Sequence, residues 1–143
     1  MATMPEATVA HGPIEVEWAG GSTFEAERPG VPKIRIDGDA KAAPSPFDVL
    51  LASLATCSAT DVVSILQKQR TPVQGLHVRV EAQRVQATPR RLASAVLHFT
   101  IRAPGTTAAK AARAVELSIT RYCSVRSSLM ADAAVSWSVA LES

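Results

Sequence analysis

This sequence carries almost no net charge: 15 basic residues against 13 acidic ones leave a formal +2 over 143 residues. That balance offers no electrostatic grip on nucleic acid or an anionic membrane, which a basic patch would supply. Cysteine is scarce, with Cys57 and Cys123 the two in the chain. Neither stands at zinc-finger spacing from the other or from His11, His77 or His98, so no metal site and no cofactor is expected. A long unbroken apolar run is missing as well. The most apolar stretch, from Val49 to Leu66, carries Asp61 and several Ser and Thr, a mixture unsuited to a membrane span. Met1 to Ala10 lacks both a basic region and an apolar core, so it is not read as a signal peptide. Repeats and low-complexity tracts are absent too. The expectation is a cytoplasmic protein whose partner is small, apolar or a second copy of itself. In that compartment structural disulfides are rare, so two cysteines call for a chemical explanation first.

What is present suits one domain over residues 1–143, with a loose arm at 1–12. Ile14, Val16 and Trp18 alternate with Glu15 and Glu17, the period-two pattern of a strand. Gly20-Gly21 reads as a hairpin turn, Thr23 to Glu27 as the returning strand, and Lys33 to Ile36 as a third. Ser45-Pro46-Phe47-Asp48 then has the form of a helix start: a capping hydroxyl, proline at the first helical position, and an acid three residues past the cap. The helix should run from Pro46 to Gln69 and stop before Thr71-Pro72. Strands follow near 76–81 and 92–102, then a helix capped by Thr106 or Thr107 and running to about Tyr122. A short helix over 124–130 and a last strand over 135–141 complete the order. Hairpins rather than strand–helix–strand units point to an α+β fold, a mostly antiparallel sheet with helices on one side.

The long helix is apolar around nearly its whole circumference: Leu50, Leu51, Leu54, Ala55, Cys57, Val62, Val63, Ile65 and Leu66 leave no polar face. Such a helix must be buried on all sides, and one sheet covers one side. A homodimer with this helix inside follows as the expectation. Trp18 and Trp137 fall on apolar strand faces and are read as core, while His77 and His98 should face solvent.

The residues alone leave the cysteines open. A buried cysteine is commonly a small hydrophobe. Cys57 lies mid-helix with Asp61 one turn on, which disfavours its thiolate. Cys123, at a joint between helices with Arg121 and Arg126 near, is better placed to ionise. Asp48 is explained by helix capping, and Asp61 needs a partner if buried.

Ser45-Pro46-Phe47-Asp48-Val49-Leu50-Leu51 through Ala55-Thr56-Cys57 and Asp61-Val62-Val63-Ser64-Ile65-Leu66 closely resembles the first cysteine helix of the OsmC/Ohr family. Arg121-Tyr122-Cys123-Ser124-Val125 is similar to its second cysteine motif, and Trp18, Gly20-Gly21 and Phe24 to its first hairpin. The likeness runs from about residue 14 to the C-terminus and is nearest the OsmC-like subgroup typified by YhfA. It implies an intertwined homodimer with active sites at the subunit interface. It also implies a thiol peroxidase for organic hydroperoxides and, more weakly, hydrogen peroxide. Cys57 would attack the peroxide and become a sulfenic acid. Cys123 would close a disulfide on it, and a dithiol reductant such as a lipoyl protein would reopen the bridge. The organic-peroxide branch has Glu where this chain has Phe47, and an activating Arg where this chain reads Gly21-Ser22-Thr23. The cation for Cys57 is therefore unassigned among Arg28, Arg35, Arg121 and Arg126, with Asp48 and Asp61 as supporting acids. Two other functions stand beside the peroxidase: a redox-sensing or small-molecule-binding dimer with little turnover, and a structural dimer with inert thiols.

Overall fold

The computed structural model describes residues 6–143. The chain forms two compact units, one up to Val49 and one over Leu50–Ser143. Residues 6–12 of the expected arm are exposed and outside regular secondary structure, while residues 1–5 lie outside the described residues.

The first unit is a meander of β1 (Glu15–Trp18), β2 (Thr23–Glu27) and β3 (Ile34–Asp37), all antiparallel. Gly20 and Gly21 both take positive φ, 98° and 55°, which is why two adjacent glycines sit at the β1–β2 turn. The register aligns Val16, Ala26 and Ile34, and likewise Trp18, Phe24 and Ile36, so one face of this sheet is apolar throughout. Reading Trp18 as core fails for the single chain: it is 69% exposed, its Nε1–H donating to the Gly21 carbonyl. Strand alternation gives the face a residue points to, and it says nothing of what covers that face.

Asp37 ends β3 and organises the loop after it. Its carboxylate, in a residue only 2% exposed, accepts from the Ser22 hydroxyl and from the N–H groups of Asp39, Lys41 and Ala42. The Ser22 hydrogen bond, backed by these backbone donors, holds the carboxyl far below the usual carboxylate range. A folded pKa depressed in this way contributes stability that is present above the unfolded carboxylate value and lost as pH falls toward the folded one. Asp37→Asn should therefore be less stable than wild type at pH 7, with the gap closing as pH drops from about 4 to 2. Thermal midpoints measured across that range check this, and parallel curves for the two proteins would refute it.

α1 (Pro46–Lys68) begins where its capping sequence puts it. Asp48 N–H donates to Ser45 Oγ at 3.1 Å and Ser45 N–H to the Asp48 carboxylate at 2.9 Å, a reciprocal capping box. By length and hydropathy alone α1 would pass for a membrane span. In the fold it buries Leu54, Ala55, Ser58, Val62 and Leu66 along one stripe, the three- and four-residue spacing of a helix face. Ala52, Thr56, Thr60, Val63 and Gln67, on the far side, stay exposed.

The second unit carries β4 (Gly75–Arg84), β5 (Leu92–Arg102) and β6 (Ala134–Leu141), with α2 (Ala108–Leu117) and α3 (Ser124–Ser127) between β5 and β6. Thr107 is the cap of α2, its hydroxyl accepting from Lys110 N–H. α2 widens into a π-helical turn over Ser118–Tyr122. The core consists of Leu97, Phe99 and Ile101 of β5 with Ala111, Val115 and Ile119, beside the α1 stripe. The α+β class holds, in two three-stranded sheets. β4–β5 is antiparallel, but β5–β6 is parallel. The helices expected between them bring β6 back in the same direction, a strand–helix–strand unit where a mostly antiparallel sheet was expected.

Candidate functional site

Cys57 and Cys123 come together in the second unit. α1 supplies Cys57 on the flank of its buried stripe, partly exposed, and Ser58 beside it is fully buried. The π-helical turn ends at Cys123, whose extended backbone (φ −76°, ψ 101°) caps α3. Cys123 is 3% exposed, and its Sγ accepts from Arg126 N–H at 3.4 Å and from the Ser58 hydroxyl at 3.6 Å. Cys57 Sγ lies 3.8 Å from Ser124 Oγ. The two thiols, 66 positions apart in the chain, are brought together through the serines beside them, and both are free.

The pair is electrostatically unequal. Burial pushes the Cys57 thiol up, but the N–H of Val125, the Cys123 thiol and the hydroxyl and N–H of Ser124 outweigh it and hold Cys57 below an ordinary thiol. Burial pushes Cys123 up, and the neighbouring Cys57 adds to this, so Cys123 stays above the ordinary value despite its Arg126 and Ser58 donors. Cys57 is thus the thiol that ionises first, with Cys123 held neutral beside it. This reverses the expectation that Cys123, near a helix start with two arginines, would ionise more readily. A residue that caps a helix and is itself sealed from water is a poorer anion than a half-open residue facing the neighbouring N–H groups of Ser124 and Val125.

The other expected residues have local roles. Arg121 lies 5.7 Å over the Tyr122 ring, and Arg126 contributes its backbone N–H to Cys123 while its buried Nε has no partner among the described residues. Arg35 pairs with Glu25, and Arg28 lines a shallow hollow with Ile14, Val31 and Ile34. Asp48 is occupied by the capping box. Asp61 is half-buried and borders a groove of about 490 Å³ with Ser64, Ile65, Lys68, Gln69 and Tyr122, so it opens to solvent and needs no buried partner. Ser58 and Ser124, which touch the two sulfurs, carry no role in the sequence reading. The signal was there: both cysteines are followed by serine. No cluster of three or more His, Cys, Asp or Glu able to hold a metal occurs among the described residues.

This is an α+β domain that brings two free thiols, one from α1 and one from the cap of α3, to one place. The chain belongs to the OsmC family, whose OsmC-like protein model matches residues 37–138. It is 40% identical to Protein YhfA of Escherichia coli K12 over 121 residues, which are 84% of this chain and 89% of that one. Among solved structures it is similar to an OsmC-like protein from Mycoplasma pneumoniae, with a TM-score of 0.79 and 17% identity over 94% of this chain and 99% of that one. The organic hydroperoxide resistance protein OhrB of Bacillus subtilis shares the fold at a TM-score of 0.58 and 13% identity, over 93% of this chain and 98% of the other.

Proposed function

We propose that the protein is a thiol-dependent peroxidase that reduces organic hydroperoxides and, more slowly, hydrogen peroxide. The observation that carries this reading is the pairing of Cys57 with Cys123 through the serines beside them, one thiol poised to ionise and the other held neutral nearby. The Cys57 thiolate attacks the distal peroxide oxygen. The O–O bond breaks, sulfur becomes the sulfenic acid, and the alkoxide leaves and takes a proton to become the alcohol. Cys123 sulfur then attacks the Cys57 sulfenic sulfur, and the S–O bond breaks with loss of water, giving a Cys57–Cys123 disulfide. A dithiol, a lipoyl group among the candidates, restores both thiols as it is oxidised to its own disulfide. Such a cycle belongs in a reducing compartment such as the cytoplasm, and the kinship with OsmC/Ohr proteins supports a redox role. We further propose that the working unit is a homodimer.

The test is consumption of cumene hydroperoxide by the purified protein with dihydrolipoamide or dithiothreitol as reductant. Turnover requiring the dithiol is expected, slower with hydrogen peroxide. One observation favours a second reading, a redox-sensing or small-molecule-binding dimer with little turnover: Ser22, where the peroxidase branch has its arginine, is engaged with Asp37. Thiol oxidation by peroxide without multiple turnovers would select that reading. Unreactive thiols would leave a structural dimer.

A further inference from the structure

Each cysteine is followed in sequence by a serine, and in the fold the serines exchange partners. Ser124, next to Cys123, lies with its hydroxyl 3.8 Å from Cys57 Sγ. Ser58, next to Cys57, donates its hydroxyl to Cys123 Sγ at 3.6 Å. The two contacts differ in kind. The Ser58 hydroxyl is fully buried and also donates to the Leu54 carbonyl at 3.0 Å, so one proton is shared between a strong acceptor and a weak one. The Ser124 hydroxyl is exposed, and among the described residues the Cys57 sulfur is the one hydrogen-bond partner seen for it. When Cys57 ionises, that hydroxyl is free to turn its proton toward the sulfur, a charge-assisted hydrogen bond.

We propose that Ser124 is the positioning residue that poises Cys57, its hydroxyl serving the thiolate in place of a cation. The inference rests on Cys57 being the reactive thiol of the function proposed above, but its test needs no peroxide. The groups that pull Cys57 down are uncharged, namely the Val125 and Ser124 N–H, the Cys123 thiol and the Ser124 hydroxyl, and the last of these lies against the sulfur at 3.8 Å. Ser124 is well suited to be probed. It is the first residue of α3, where alanine and proline both fit, and Cys123 before it is already in the extended conformation that a following proline demands.

The experiment follows alkylation of Cys57 by iodoacetamide against pH, read on the Cys57 peptide by mass spectrometry. In Ser124→Ala the midpoint should rise by about 0.5–1 pH unit, since one hydrogen bond to an ion is lost. The thiolate fraction below the midpoint should then fall about three- to tenfold. The alkylation rate should fall less, about two- to threefold, because a more basic thiolate is a better nucleophile. Ser124→Pro, which deletes the N–H as well, should shift the midpoint further. Ser124→Thr, which keeps both donors, should restore it. Ser58→Ala should leave the Cys57 midpoint in place. Because the donors are neutral, that midpoint should move little between about 0.05 and 0.5 M salt, where a cation's influence would be screened. Unchanged midpoints in both Ser124→Ala and Ser124→Pro would overturn the proposal, and so would a strong salt dependence in wild type. A shifted midpoint in a protein that consumes no peroxide would sink the peroxidase reading alone.

Discussion

Cys57→Ser is expected to abolish peroxide consumption, a loss of about a thousandfold or more, because a serine hydroxyl with no base beside it is a negligible nucleophile toward an O–O bond. Cys123→Ser is expected to spare the first turnover. It removes the resolving sulfur and leaves the attacking one, so Cys57 should accumulate as a sulfenic acid that dimedone traps. Steady-state turnover should collapse while one equivalent of peroxide per active thiol is still consumed in the burst. Both variants should stay folded, since the exchange of sulfur for oxygen is nearly isosteric and the partners around Cys123, Ser58 Oγ and Arg126 N–H, can donate equally well to a hydroxyl. In wild type, peptide mapping after one equivalent of peroxide should return an intrachain Cys57–Cys123 bridge. The burst rate should rise with pH through a midpoint below that of an ordinary thiol, the direction in which Cys57 is shifted. A burst that survives in Cys57→Ser and dies in Cys123→Ser would exchange the two roles.

The second large effect concerns the apolar surface that a single chain leaves bare. Val16 is 60% exposed, Trp18 69% and Ile34 53%, all on one face of the β1–β3 sheet. On the second unit, α1 and β4 border a groove of about 340 Å³ lined by Ala52, Ala55, Ala59, Leu76, Val78 and Val80. Soluble monomers rarely carry so much, and a second copy is the occupant proposed here. Trp18→Ala separates the cases. A monomer that already exposes Trp18 to water should lose at most about 0.5 kcal/mol. A dimer that buries it should lose about 3–5 kcal/mol per buried indole. Wild type should sediment at about twice its 15.1 kDa, with a thermal midpoint that rises with protein concentration. A folded, concentration-independent species at 15.1 kDa, unmoved by Trp18→Ala, would end the dimer proposal.

The elements whose ends are marked by local chemistry were legible along the chain. α1 begins at Pro46 because Ser45 and Asp48 satisfy each other's N–H groups, an interaction closed within four residues. β2 carries its period-two pattern throughout and β5 from Ala95 onward, and both run over the residues read for them. Cys57 and Cys123 stood out because scarcity and motif marked them. What the chain could not show locally was decided by what meets across long separations. β6 lies parallel to β5 because the helical segment between them returns it to the same end of the sheet, and alternation reads the same in either direction. Trp18 alternates like a core residue, yet burial depends on a covering surface that no local pattern encodes. Above all, the order in which the two thiols ionise was decided by tertiary structure. The N–H groups and hydroxyl that face Cys57 come from residues 124 and 125, more than sixty positions away, while the same turn of chain seals Cys123 from water. Hydrogen-bond donation and desolvation act over a few ångströms, so sequence names the two sulfurs, and the fold sets which of them becomes the anion.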